Sequence, residues 1–128
     1  MIGKSINTLL TGHVALVAIV GTKIFPYVMN EDTDLPAVVY TVDSLTPGYT
    51  KGGWAYDDIQ FSVHSFEKSY SALETLADAV RDAVELKKTG YTGQEFGHIY
   101  LVGQEEGFDN EANVFYNKQS FNLKLNNY

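Results

Sequence analysis

Apolar residues recur at helical spacing through the first positions of the chain. Ile2, Ile6, Leu9 and Leu10 share a stripe that ends near Gly12, which predicts a short amphipathic helix. Val14 to Val20 is an unbroken apolar run that suits either a further helical stretch or buried chain, and Gly21 ends it. Lys23 to Tyr27 reads as a short strand, and Pro26 puts it at a sheet edge, because proline has no N–H to give a ladder. A clearer strand opens at Pro36, with Val38, Tyr40 and Val42 on one face and Val39, Thr41 and Asp43 on the other. "LTPGYTKGGW", Leu45 to Trp54, is glycine-rich and long for a tight turn, so it reads as a mobile loop. From Tyr56 to Phe66, Ile59, Phe61 and Val63 alternate with Gln60, Ser62 and His64, the pattern of a sheet wet on one side.

Residues from about Ser69 to Lys88 form the strongest helical pattern. Leu73, Leu76, Ala77, Val80, Ala83 and Val84 make one apolar stripe, with Glu74, Asp78, Arg81, Asp82 and Glu85 largely off it. Ser71 with Glu74 fits a capping box, Lys87 and Lys88 suit the C-terminal dipole, and Gly90 is the expected terminator. Ile99 to Gln104 and Val114 to Leu125 are the last strands, joined by "GQEEGFDNEAN", which reads as a hairpin loop. No strand–helix–strand alternation is sustained. The expected class is α+β, a mostly antiparallel sheet of about five strands packed by one long and one short N-terminal helix.

With 128 residues and 45% hydrophobic content, the chain is expected to be one domain, residues 1–128, with one core. Val14 to Val20 is too short to span a bilayer, which takes about 20 residues. Lys4 precedes "LLTGHVALVAIVG", but Gly12 and His13 interrupt it and no small-x-small cleavage site follows, so a soluble, intracellular product is expected. No cysteine is present, which excludes disulfides, thiolate nucleophiles and cysteine-based zinc sites. The net charge of −7, with scattered basic residues, argues against nucleic-acid binding.

Candidate chemistry is sparse. Glu31, Asp32 and Asp34 crowd into "NEDTDLP", yet a calcium loop needs a central glycine and a late glutamate, and this stretch has neither. It reads as a solvated inter-strand loop. His13, His64 and His98 lack metal-ligand spacing, and neither a phosphate-loop nor a Gly-x-Ser-x-Gly motif occurs. Asp57 and Asp58 point to opposite faces of their strand and cannot work as a pair. No catalytic, cofactor-binding or metal residue is therefore expected. Aromatic residues near loops stand out instead. Tyr49, Trp54, Tyr56, Phe108 and the terminal Tyr128 are the candidate interface residues, since rigid amphipathic rings give contact area at low entropic cost.

The order of "VGTKIFP", "LPAVVYTVDS", "IQFSVHSF" running into "SYSALETLADAVRDAV", and finally "QSFNLKL" resembles the small phage tail completion, or head–tail joining, proteins of the tail-terminator type. The resemblance spans nearly the whole chain and is weakest from Tyr91 to Asn113. It implies a virion structural protein without catalytic residues. Such a protein assembles with itself into a ring, usually of six subunits, at the head-proximal end of the tail. Its partners are the tail tube protein and the head–tail connector protein, and assembly takes place in the host cytoplasm. DNA would pass through the ring without specific binding, and Glu31, Asp32 and Asp34 would face the lumen or a neighbouring ring. Two other readings stay open on the residues alone. One is a small enzyme or ligand-binding domain with a helix–sheet pocket using His64 or Asp58, and the other is a non-phage adaptor that binds through a sheet edge.

Overall fold

The protein is described here by a computed structural model covering residues 2–29, 33–89, 94–95 and 97–127. In chain order the elements are α1 (Ile2–Thr11), α2 (Val14–Val20), β1 (Ile24–Pro26), β2 (Ala37–Thr50), β3 (Gly53–Glu67), α3 (Tyr70–Val84), β4 (Lys88–Thr89), β5 (Gln94–Glu95), β6 (Gly97–Asp109) and β7 (Val114–Asn127). The strands form one sheet in the order β1-β2-β3-β7-β6-β4, with β5 paired to β7. All pairs are antiparallel except β1 with β2. The α+β class with a mostly antiparallel sheet holds. The count is corrected to seven strands among the described residues, the two-residue β4 and β5 being the ones too short for pattern reading, and α2 joins the two expected helices.

One face of the sheet carries the core. Val38 and Tyr40 from β2, Ile59, Phe61 and Val63 from β3, Phe121, Leu123 and Leu125 from β7, and Ile99 from β6 are all buried on it. Phe61 and Phe121 are cross-strand partners and stack with centroids 5.4 Å apart. Against this face lies α3, with Leu73, Leu76, Val80 and Val84 buried. At about 1.5–3 kcal/mol for each fully buried side chain, that packing outweighs propensity differences of a few tenths. The apolar stripe read from the sequence is the buried one.

The ends of α3 differ from expectation. Ser69, not Ser71, is the N-cap, and its Oγ accepts from the Ala72 N–H at 3.2 Å. The helix stops at Val84, where Glu85 turns extended and Leu86 takes a positive φ of 61°. Leu86 and Lys87 then pair with Ile99 through backbone bonds, so tertiary pairing ends the helix before Lys87, Lys88 or Gly90 can. Gly90 lies outside the described residues.

Two expected loops are strands. "LTPGYTKGGW" continues β2 to Thr50 and opens β3 at Gly53, leaving only Lys51 and Gly52 as the turn. Most of "GQEEGFDNEAN" is the second half of β6, which pairs with β7 down to Asp109 opposite Val114. Each of β2 and β6 carries a register shift at one level, between Val42 and Ser44 and between Leu101 and Gly103. Bulges bend a strand and raise its twist. Here they flank the Phe61–Phe121 row on both sides.

Candidate functional site

The sheet has two incompletely paired edges. On the outer side of β6, β4 meets only Gly97 and His98, and Leu86 and Lys87 reach only Ile99. From Tyr100 to Asp109 no strand lies beyond β6 among the described residues. On the other margin β1 covers β2 only at Val38, Val39 and Tyr40. Tyr27 closes that short ladder: its hydroxyl accepts from the Val42 N–H at 3.3 Å and donates to the Val42 carbonyl at 3.4 Å. From Asp43 to Thr50 the edge is bare again among the described residues. The two bare stretches are diagonally placed, β2's towards the Lys51–Gly52 turn and β6's towards the opposite end. Unpaired strand edges are ready templates for another chain.

Among the described residues, the predicted interface side chains fall at two ends of the sheet, Tyr49 and Tyr56 near the Lys51–Gly52 turn and Phe108 near the start of β7. Tyr49 is 71% exposed near the hairpin tip. Trp54 pairs its backbone with Tyr49, while its side chain lies outside the described atoms. Tyr56 is turned back on its own sheet. Its ring covers Gly48 so closely that a Cβ there would lie 2.1 Å from it, and Lys124 Nζ sits 4.0 Å from the ring centroid. Phe108 packs on Phe115 at 4.7 Å, and Phe115 meets Tyr70 at 5.9 Å. Tyr128 lies outside the described residues. Pattern reading missed three exposed groups: Val14 and Val17 on the outer side of α2, Tyr100 and Val102 on β6, and Tyr27 with Val28 after β1. For α2 a signal was available, because an apolar run of seven residues on a helix must show some of it outward.

The other sheet face is polar. Asp43, the extra residue of the β2 bulge, accepts from Thr41 Oγ1 at 3.0 Å and from Ser62 Oγ at 2.5 Å. Asp58 accepts from Asn122 Nδ2 at 2.6 Å. Burial lowers the His64 imidazole below its ordinary pKa, neighbouring Lys118 lowers it further, and Asp43 works the other way. His64 and Asp58 sit six residues apart on β3, about 20 Å along the strand. They lie on the face turned from α3 and are not brought together at a helix–sheet pocket.

Asp34 is exposed just before β2, and Glu31 and Asp32 lie outside the described residues. No group of three His, Asp or Glu stands close enough to hold a metal ion among the described residues. No single described helix is long and apolar enough to cross a membrane, and α1 and α2 meet at an 83° bend.

The described residues thus present bare sheet edges, exposed valines on α2 and a hydrogen-bonded polar sheet face. The family described as "Tail completion protein gp17" matches residues 4–122, and the chain belongs to it. It is a structural protein of the virion tail and not an enzyme. Among solved structures, a chain of the virion of a native gene transfer agent particle shares the fold with a TM-score of 0.77 and 16% identity, over 94% of this chain and 91% of that one. No curated protein matches the sequence.

Proposed function

We propose that this tail completion protein is the tail terminator, a single-domain subunit of a ring of six at the head-proximal end of the tail tube, where it meets the head–tail connector. The observation that supports this most is the pair of bare, non-identical sheet margins on β2 and β6. The two margins lie on opposite sides of the sheet, so joining β2 of one copy to β6 of the next leaves an unlike margin free at each end. They suit a heterologous contact, which makes a ring when its rotation closes. A stable contact of this kind buries about 800 Å² per partner, more than one strand edge supplies. Tyr49 and Trp54 at the hairpin tip, with Val14 and Val17 on α2, extend it. Tyr56, Phe108 and Tyr128 contribute at its margins, the first two as rings already ordered within the subunit.

Six copies at −7 each gather about −42 charges, without the clustered lysine and arginine that hold phosphates. DNA passes through such a ring without adhering. In this reading Glu31, Asp32 and Asp34 face the lumen or a neighbouring ring. Assembly takes place in the host cytoplasm before the ring becomes part of the virion. The test is negative-stain microscopy of concentrated protein, alone and mixed with purified tail tubes. Six-fold rings, and tubes capped at one end, are expected. Particles that stay monomeric and leave both tube ends bare would overturn the reading.

A further inference from the structure

At the N-terminal half of α3 a cleft of about 390 Å³ opens between the helix and the ends of β6 and β7. Its walls are Tyr70, Glu74 and Asp78 from the helix and Gln104 and Glu106 from β6, with Asn117 of β7 as its floor. Three carboxylates line it and no basic side chain does. One hydroxyl is already engaged: Tyr70 donates to Glu106 Oε1 at 2.5 Å.

The floor is the second observation. Asn117 is 2% exposed, and its Oδ1 has no hydrogen-bond partner among the described residues. The same holds for Ser65 Oγ, cross-strand to Asn117, and for Gln119 Oε1, one step along the same face. Gln119 spends its amide N–H groups on the Ala77 carbonyl and Gln104 Oε1, both at 3.1 Å. Buried polar atoms are nearly always paired, so the Asn117 oxygen in the lining of the cleft marks a place where something donates.

We infer that this cleft receives the guanidinium of an arginine from a basic segment of a partner protein. A guanidinium offers five planar N–H donors and a positive charge, which matches carboxylates at the walls and an amide oxygen at the floor. The cleft's size suits one long side chain. A metal ion is disfavoured because no three His, Asp or Glu converge among the described residues. Nucleic acid is repelled by the same carboxylates. A second copy fits poorly. Each copy is at −7 with one arginine in its whole sequence, and that residue, Arg81, already holds Glu85 at 2.6 Å. The inference does not depend on ring formation.

The test uses N-acetyl-arginine methylamide, titrated into isotope-labelled protein while the side-chain amides of Asn117 and Gln104 are followed by NMR. N-acetyl-citrulline methylamide, of equal shape and no charge, is the control. Saturable shifts with the arginine probe are expected, with the citrulline probe about tenfold weaker, and Glu74→Gln or Glu106→Gln should weaken the arginine probe about fivefold. No saturable shift, equal responses to both probes, or unchanged affinity in both glutamine variants would overturn the inference. So would the same shifts produced simply by concentrating the protein, which would make a second copy the occupant. If a glutamine variant fails to fold by circular dichroism, the two-probe comparison on the unaltered protein still decides.

Discussion

Gly97 opens β6 where there is no room for a side chain. A Cβ there would lie 2.3 Å from the Lys124 carbonyl oxygen, and a backbone atom held in the sheet cannot step aside. At Gly103, in the β6 bulge, a Cβ would meet nothing within 4 Å. Gly97→Ala should therefore cost about 1–3 kcal/mol by overpacking, and Gly103→Ala should stay within about 0.5 kcal/mol, both read from urea unfolding midpoints. Tyr70 offers a titration at the same scale. Its hydrogen bond to Glu106 is the main reason its pKa is pushed up to about 12 from an ordinary 10. The raised value means the folded chain holds that proton after the unfolded chain has lost it. The contribution to stability is intact below pH 10 and declines between about 10 and about 12. Burial raises Tyr40 as well, so a spectrophotometric titration should show a late-ionising tyrosine signal that shrinks, without disappearing, in Tyr70→Phe.

Among the elements, α3 sets a sharp comparison. With Ser69 as the cap, Ser69→Ala should lose about 1 kcal/mol, whereas Ser71→Ala should stay within about 0.5 kcal/mol. The reverse order in thermal melts would restore the capping box read from the sequence. The stripe of this helix and the two faces of β2 and β3 were legible because burial imposes periods of 3.6 and 2 on the chain. The far halves of β2 and β6 were not, because each contains residues that ordinarily break strands. Pro47 is tolerated there since β2 has a free side on which no N–H is wanted. Gly48 is covered by the Tyr56 ring opposite, and Gly107 by the Tyr116 ring, whose Oη would lie 2.5 Å from a Cβ. A tyrosine across from a glycine is thus the same device used twice. It can be seen only when register is known. Tyr56→Ala should fray the hairpin tip, with faster amide exchange from Thr46 to Asp58 and a loss of about 1 kcal/mol. Protection of Ile59 to Val63 should not change.

At the scale of the whole molecule, charge sets the expected behaviour of the proposed ring. Copies at −7 repel one another, and the repulsion falls as salt shortens the screening length from about 10 Å at 0.1 M to about 3 Å at 1 M. Light scattering of dilute protein should show mostly monomer in low salt and a growing share of rings as salt rises. A tight hexamer indifferent to salt would contradict the charge argument. The polar sheet face and the interface residues could not be assigned by pattern reading, since a wet strand looks the same whether water or a neighbouring subunit lies on it. Asp43 illustrates the difficulty: its tie to Ser62 depends on a bulge that no periodicity announces.

In the proposed ring, the mismatched margins of β2 and β6 also bear on how unfinished assemblies behave. Any open arc of subunits joined through them ends in one vacant donor strand and one vacant acceptor strand, whatever its length. Only the last subunit removes both at once. Arcs are then the adhesive species, and a change at the joint that alters its turn angle should yield spirals or filaments in place of smaller discs.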